Sequence, residues 1–366
     1  ISKNKLKKSD YALIQQYIYE MKVMPSMRLM WTAGKPAELN NAAIYNCSTV
    51  PIDALHSLAE IYFLLMSGAG VGVDVSRRYV EKIPKVKKLN GETKTVVFDD
   101  SKEGWSTGTL ECCQAMWDGF DVEWNLSKLR PQGARLKTFG GRSSGPGPLD
   151  ETLHFIKHMV ENHRERKLSS VNMFDIVTKI AASVVVGGVR RSSIITLSDL
   201  YDRGMRDSKK GQFWITNSHR AMSNNSAIYD QKPTSVDFMK EWLTLAESGT
   251  GERGIFNRSS INNLIPKRRR KRQDWTTNPC GEIILRPRGL CNLSEVVIRA
   301  DDTLETLMEK VKVATMIGTI QSGLTNFKFL NDLHPDWEKN ATEERLLGVS
   351  LTGQMDNPEI LTEDNL

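Results

Sequence analysis

The chain has 366 residues, of which 39% are hydrophobic and 26% charged, and its formal net charge is +6 at pH 7. This is the composition of a globular protein, and the sequence has neither a run of eighteen apolar residues nor an apolar secretory segment in its first residues. We therefore expect a cytoplasmic protein without membrane contact, whose five cysteines are structural, metal-binding or redox-active thiols rather than a disulfide framework.

The first part of the chain predicts alternating helices and strands. Apolar residues at helical spacing predict a helix over 9–24, which Pro25 interrupts. A strand over 43–50 that ends at a polar mouth, a helix over 52–65 and a turn into another strand over 68–75 are expected next. The glycines at 68–72 do not form a dinucleotide-binding fingerprint, because Val73 stands where the third glycine is required.

The rest of the chain continues this alternation. The pattern predicts, in order, a solvated lysine-rich excursion over 82–94, a glycine- and proline-rich loop over 130–149, helices over 150–166 and 171–185, a strand at 194–197, a basic run over 266–273, a helix over 303–328 and a buried strand over 345–353. We interpret the basic run as a solvated loop, with a nucleic-acid or targeting patch as the alternative. Such alternation favours an α/β fold with a largely parallel sheet or barrel.

The stretch Asn278-Pro279-Cys280-Gly281-Glu282 places an amide, a thiol and a carboxylate at alternate positions, and Cys291 follows eleven residues after Cys280. In an extended segment, alternate side chains point to one face. A carboxylate can exchange a proton with a hydroxyl, an amide can hold a second hydroxyl, and a sulfur can act as nucleophile, metal ligand or one-electron centre. The structural alternative is a tight turn with a buried thiol.

Two further groups of reactive side chains have simpler interpretations. Cys112 and Cys113 are adjacent, and we expect them to be core thiols on a helix, because a thiol oxidoreductase would need a Cys-x-x-Cys motif. His154, His158 and His163 have partly helical spacing, but no cysteine or carboxylate is placed to complete a zinc site. The sequence therefore predicts no metal-binding residues.

Beyond Asn-Pro-Cys-Gly-Glu and the later Cys-Asn-Leu, other motifs occur along nearly the whole chain in the order typical of one family. They are Pro25–Arg28, Asn46-Cys47, Gly68–Gly72, Lys102–Trp105, Arg130–Ala134, Phe139–Gly141, Ser144–Pro146, Gly188–Ser192, Ser223–Ser226, Gly254-Ile255 and Gly348–Ser350. In these motifs the chain resembles the ribonucleotide reductases. The sequences of these motifs are most similar to those of the class II, adenosylcobalamin-dependent enzymes of the ribonucleoside-triphosphate reductase type.

Carried over by position, the resemblance implies a radical site. Cys280 would carry the transient thiyl radical that removes the ribose 3′ hydrogen, Glu282 would be the base on the 3′ hydroxyl, and Asn278 would hydrogen-bond the sugar. Cys47 and Cys291 would be the dithiol that delivers two electrons to the 2′ position and ends as a disulfide. One thiol cannot be both radical and dithiol, so three cysteines are the minimum for this chemistry.

The resemblance also implies nucleotide sites. Ser26 and Ser48 lie in segments that the family uses near the substrate, where backbone amides hold phosphate oxygens. A deoxynucleotide effector would act through a specificity loop made of Gly187, Gly188, Arg190, Arg191 and Ser192. The alternative for these arginines is an ordinary charge at a helix end.

The fold implied is the ten-stranded α/β barrel of ribonucleotide reductases and glycyl-radical enzymes, only partly contained in this chain. Residues 1–45 would be a helical segment leading into the barrel, and 46–366 its first part, with a finger loop near 278–282. The remaining strands, a phosphate loop, much of the cobalamin surface and a terminal cysteine pair have no counterpart here. We accordingly expect the isolated chain to be inactive until a complementary C-terminal half is supplied.

The implied partners are those of a radical reductase. They are adenosylcobalamin, a ribonucleoside tri- or diphosphate substrate, a dNTP or ATP effector, and a thioredoxin-like or other dithiol reductant. Two alternatives stay open on the sequence. One is a class I-type large subunit that uses a separate radical-generating subunit, and the other is an inactive nucleotide-binding fragment.

Overall fold

A computed structural model describes residues 7–136, 141–184 and 193–362, which form two compact units. The central unit is the continuous stretch Cys47–Gly289, and the terminal unit combines Ile1–Asn46 with Leu290–Leu366. The proposed division into 1–45 and 46–366 stays a prediction. Within the described ranges, no helix has the length and apolar character needed to cross a bilayer.

The terminal unit begins with short elements. They are α1 (Lys8–Tyr19), β1 (Val23–Pro25), α2 (Met27–Thr32) and α3 (Lys35–Leu39). The helix predicted over 9–24 is thus too long. It ends at Tyr19 because Met21 adopts a left-handed conformation with φ 52°, after which the chain extends into β1.

The central unit supplies most of the regular structure. Its elements are β2 (Cys47–Pro51), α4 (His56–Met66), β3 (Gly70–Asp74), α5 (Arg77–Val80), β4 (Thr93–Val97), α6 (Lys102–Asp118), β5 (Asp121–Asn125), α7 (Gly147–Glu161), α8 (Ser170–Val184), β6 (Ile194–Asp199), α9 (Arg203–Asp207), α10 (Phe213–Thr216), β7 (Ser223–Ile228), α11 (Ser235–Ser248), β8 (Gly254–Phe256), α12 (Arg258–Leu264), β9 (Thr276–Thr277) and β10 (Ile284–Leu285). Helix and strand alternate here as predicted. The ends of α6 show the local cause, since the Ser101 hydroxyl accepts a hydrogen bond from the Gly104 amide at its start and Gly119 closes it with φ 95°.

Five strands of the central unit form a parallel sheet in the order β2-β3-β6-β7-β8. Every residue of β2 and of β3 is buried. Helix α4 packs against both strands, and β9 lies against them as well. Strands covered on both faces favour apolar residues, as in the run Val71-Gly72-Val73, and the buried hydroxyls of Ser48 and Thr49 in β2 donate to carbonyls of β3. The parallel sheet is therefore confirmed, and the closed ten-stranded barrel stays a prediction.

The terminal unit resumes with β11 (Leu290–Cys291), β12 (Leu293–Val297), α13 (Leu304–Ser322), α14 (Lys328–Leu333), α15 (Asp336–Glu344) and β13 (Gly348–Thr352). Strand β12 pairs antiparallel with β1 and parallel with β13. A core that includes Val23, Val296 and Ile317 joins these strands to α13. The strand predicted as buried over 345–353 is only partly buried, because β13 lies at the edge of this sheet.

Candidate active site

The segment around Cys280 is the tip of a hairpin and not an extended strand. Strands β9 and β10 pair antiparallel, with Thr277 opposite Ile284, and residues 278–283 connect them. The Gly281 amide donates to the Asn278 carbonyl at 3.1 Å, and Gly281 has φ 88°. Pro279 and Gly281 are turn-forming residues, and their local preference overrides the alternating pattern. The expected extended conformation is wrong, and the turn alternative is right except that Cys280 is exposed.

The turn itself brings the amide and the carboxylate together. Asn278 is fully buried; its Oδ1 accepts from the Ile283 amide at 3.0 Å, and its Nδ2 donates to Glu282 Oε1 at 2.8 Å. Glu282 is exposed, as is Cys280. The loop thus exposes the Cys280 thiol and a Glu282 carboxylate that is held by a hydrogen bond.

The hairpin packs closely against two glycines of β3, Gly70 and Gly72. A Cβ added at Gly72 would lie 1.9 Å from the Thr277 carbonyl oxygen, and one added at Gly70 would lie 2.7 Å from Cγ of Pro279. Only glycine permits such an approach of another backbone. The sequence did contain this signal, as two glycines at alternate positions in a strand, but it does not indicate which segment approaches.

Because the hairpin packs on Gly70 and Gly72, Cys47 lies at the same end of the sheet as Cys280. Gly70, which touches Pro279, is the strand partner of Cys47. Two residues along β2, the Thr49 hydroxyl lies 3.0 Å from the Thr276 hydroxyl of β9. Alternate residues of a strand share a face, so Cys47 lies on the face of β2 that the hairpin covers. Its side chain is buried, whereas Cys280 is exposed.

Cys291 is also buried and lies in the terminal unit. Its carbonyl accepts a hydrogen bond of 3.2 Å from the amide of Asn46, a residue of the same unit. Asn46 immediately precedes Cys47 in the chain. A hydrogen bond across 245 residues of sequence thus ties Cys291 to the residue beside Cys47.

The known proteins most usefully compared with this chain are all enzymes of one kind. No family model matches the chain. The adenosylcobalamin-dependent ribonucleoside-triphosphate reductases of Euglena gracilis and Levilactobacillus brevis are 29% and 27% identical to it, over 92% and 93% of this chain but 46% and 53% of their own sequences. A probable enzyme of the same kind from Dictyostelium discoideum is 26% identical over 96% of this chain. The chain is a homologue of these reductases.

The fold of this reductase homologue is also that of a solved relative. A crystal structure of a B12-dependent, class II ribonucleotide reductase superposes with a TM-score of 0.74 at 23% identity, covering 97% of this chain and 56% of the other. The likeness shows a shared mixed α/β fold. The chain spans about half the length of the curated relatives it matches.

The two serines predicted near the substrate are engaged locally in the reductase homologue. Ser26 caps α2, with its hydroxyl accepting from the Leu29 amide at 3.1 Å. The Ser48 hydroxyl is fully buried and donates to the Gly70 carbonyl at 3.0 Å. Both hydroxyls therefore hydrogen-bond within the fold, and their place near the substrate stays a prediction.

The predicted specificity loop, with Gly187, Gly188, Arg190, Arg191 and Ser192, lies outside the described residues. A cavity of about 350 Å³ is lined in part by Ser183 and Val184, which precede Gly187 in the sequence. Lys102, Arg130 and Arg142 also line this cavity, together with Glu103 and with Asp100, which pairs with Arg130 at 2.8 Å. The sequence patterns had not identified this cavity of mixed charge, since its walls come from four distant segments of the chain.

The other thiols and the histidines stay outside this site. Cys112 and Cys113 are fully buried on α6, as predicted for core residues. Burial raises the pKa of Cys112 to about 12 and also raises the pKa of Cys113, so both remain protonated thiols at neutral pH. Among the described residues, no group of histidine, cysteine or acidic side chains is arranged to hold a metal ion.

Proposed function

We propose that this chain supplies the catalytic site of an adenosylcobalamin-dependent ribonucleotide reductase, which converts ribonucleoside tri- or diphosphates to 2′-deoxyribonucleotides. The single observation that carries the proposal is the hairpin seated on Gly70 and Gly72. It presents the exposed thiol of Cys280 above the strand end where Cys47 is buried. A radical thiol must reach the substrate, and a reducing thiol must lie close by.

We assign the first step to Cys280. As a thiyl radical, its sulfur takes the hydrogen atom from C3′ of the ribose, forming S–H and leaving the unpaired electron on C3′. The exposed position of Cys280 at the hairpin tip supports this role. After reduction at C2′, the same S–H returns a hydrogen atom to C3′, which restores the thiyl radical.

Glu282 and Asn278 handle the proton of the 3′ hydroxyl in this proposal. The hydrogen bond of 2.8 Å from Asn278 fixes one oxygen of the Glu282 carboxylate and leaves the other to accept a proton. The second amide hydrogen of Asn278 is the one that we assign to the sugar. Holding the base and the ribose in one geometry reduces the entropic part of the barrier.

Cys47 and Cys291 supply the electrons. The 2′ hydroxyl leaves as water after accepting a proton, and two thiols together give the two electrons and two hydrogens that convert C2′–OH to C2′–H plus water. The product of the pair is a disulfide, which a thioredoxin-like or other dithiol reductant reopens. The hydrogen bond between Asn46 and Cys291 supports this pairing, since it ties Cys291 to the neighbour of Cys47.

Adenosylcobalamin fits this site in one respect that concerns the chain itself. Cys280 is exposed at the tip of a turn whose neighbour Gly281 carries no side chain, so a bulky group can approach the sulfur. When bound, the cofactor supplies the one-electron oxidation that generates the thiyl radical. Cys280 is the residue that would face it.

We further propose that a dNTP or ATP effector occupies the cavity lined by Lys102, Arg130 and Arg142. Lys102 and Arg142 suit a triphosphate, because cationic side chains bind phosphate oxygens and a guanidinium does so in a bidentate manner, whereas Arg130 is already paired with Asp100. The cavity borders Ser183 and Val184, which lead into the predicted specificity loop at Gly187–Ser192. An effector there would lie beside Ser183 and Val184, which precede this segment in the sequence.

The function is tested by complementation. The chain is combined with the C-terminal half of a relative, adenosylcobalamin, a dithiol and the four ribonucleoside triphosphates, and deoxynucleotides are quantified with and without each dNTP. We expect product only when both halves are present, with a base preference that changes with the dNTP and loses this response in Arg142→Ala. Robust product from the chain alone would refute the need for a complementary half, and no product from the completed mixture would refute the function.

A further inference from the structure

The turn that follows the hairpin is fastened to β2. Residues 286–289 form a turn in which the Gly289 amide donates to the Arg286 carbonyl at 2.8 Å. The Arg288 amide donates to the Thr49 carbonyl at 3.0 Å, and the Thr49 amide donates to the Gly289 carbonyl at 3.2 Å. Both backbone groups of Thr49 are therefore held by this turn, two residues from Cys47.

Arg288 adopts an unfavourable backbone conformation, and the ion pairs of its side chain offset the cost. Its φ is 59°, in the left-handed region where the Cβ of an ordinary residue meets the following carbonyl. In this conformation the Arg288 amide donates to the Thr49 carbonyl while the side chain bonds Glu60 of α4. A residue in this region persists only when its surroundings hold it there.

The surroundings are two carboxylates on the α4 side of β2. Arg288 Nε donates to Glu60 at 2.9 and 3.2 Å, and its two terminal nitrogens donate to Asp53 at 2.8 and 3.2 Å. The ring of His56 lies 3.2 Å from the same guanidinium. Arg288 and Glu60 are 2% and 0% exposed, so the charges depend on each other for compensation.

Burial and hydrogen bonding act in opposite directions on the pKa of Asp53. Burial raises it, but the hydrogen bond and charge of Arg288 lower it more, and the net result is a lowered pKa. Asp53 therefore stays ionised at neutral pH. A guanidinium with its planar fork matches two carboxylates in fixed directions, which a lysine cannot do.

We propose that Arg288 is a positioning residue for Cys47. Its ion-paired side chain holds the 286–289 turn on β2, and this turn keeps Cys47 buried under the hairpin in the position from which it reduces the substrate. The inference rests on the proposed function only for the role of Cys47. The clamp itself acts in the resting protein, so it can be tested without cofactor or turnover.

The test is the rate of thiol alkylation in the native full chain, followed for each cysteine by peptide mass spectrometry with iodoacetamide. In the unmodified chain we expect Cys280 to react rapidly and the buried cysteines slowly. In Arg288→Met we expect Cys47 to react at least about tenfold faster, while Cys112 and Cys113 stay protected on α6. Arg288→Lys retains the charge without the fork, and we expect an intermediate rate at Cys47.

Arg253→Met is the matched control, because Arg253 is equally buried and pairs with Glu241 at 2.8 Å beside strand β8. We expect it to lower the melting temperature and leave Cys47 protected. An unchanged rate at Cys47 in both Arg288 variants would overturn the proposal. If Arg288→Met makes all buried cysteines reactive together, the Arg288→Lys variant decides between the two explanations. Faster alkylation of Cys47 alone in Arg288→Lys supports a positioning role. Faster alkylation of all buried cysteines shows that the ion pair only stabilises the fold, and it overturns the proposal.

Discussion

Replacing Cys280 by serine is expected to reduce deoxynucleotide formation by the completed enzyme at least about a thousandfold, to the background of the assay. A hydroxyl is nearly the same size as a thiol, but its O–H bond is much stronger, so the side chain cannot form and reform a radical under the same conditions. Because Cys280 is exposed on a turn, the change should alter the free energy of unfolding by less than about 0.5 kcal/mol. Loss of activity with an unchanged melting temperature is the expected signature.

The matched control for Cys280→Ser is Cys113→Ala. Cys113 is fully buried on α6, so its loss should lower stability while turnover at permissive temperature persists. Activity is measured as deoxynucleotide formed per chain, together with hydrogen exchange at the cofactor. Persistent turnover and exchange in Cys280→Ser would remove Cys280 from the radical role.

Gly72→Ala is expected to produce the largest effect on the hairpin. The added Cβ would lie 1.9 Å from the Thr277 carbonyl oxygen, which is backbone and cannot rotate away. Either β9 moves off β3 or β3 distorts, and overpacking of this kind costs about 1–3 kcal/mol. Because Thr277 precedes Asn278, a shift of about 1 Å at the hairpin should also lower turnover about a hundredfold.

Substitutions at two other glycines serve as controls for Gly72→Ala. At Gly70 the nearest atoms to the added Cβ would be side-chain atoms, Cγ of Pro279 at 2.7 Å and Cβ of Ser193 at 3.5 Å, so Gly70→Ala should have a smaller effect. At Gly147, at the start of α7, it would meet nothing within 4 Å, and Gly147→Ala should be neutral. Thermal unfolding and turnover are measured for all three variants. Wild-type stability and activity in Gly72→Ala would mean that the hairpin does not rest on β3.

The sequence predicted elements well where the pattern is local. Strands β3 and β6 follow from apolar runs, and α8 follows from helical spacing, whereas the strand predicted over 43–50 begins only at Cys47. The same reasoning failed at residues 278–282, because the alternation of Asn278, Cys280 and Glu282 was read as a strand although Pro279 and Gly281 favour a turn. Of these three side chains, Asn278 and Glu282 are hydrogen-bonded to each other, and it is the turn that brings them together.

Long-range contacts could not be predicted from the pattern. Nothing in the sequence near Gly72 specifies that Thr277, about two hundred residues later, approaches it. The same holds for the bond between Asn46 and Cys291 and for the pairing of Arg288 with Asp53 and Glu60. Such contacts arise from the packing of whole elements, which a single sequence does not encode in any local window.

In the proposed function, Cys47 and Cys291 are the electron donors for a radical formed at Cys280. The most direct measurement is a single turnover of the completed, prereduced enzyme without external dithiol, followed by alkylation and mapping of disulfide-linked peptides. We predict one Cys47–Cys291 disulfide for each deoxynucleotide formed. Product without this disulfide, or a disulfide that includes Cys280, would contradict the claim.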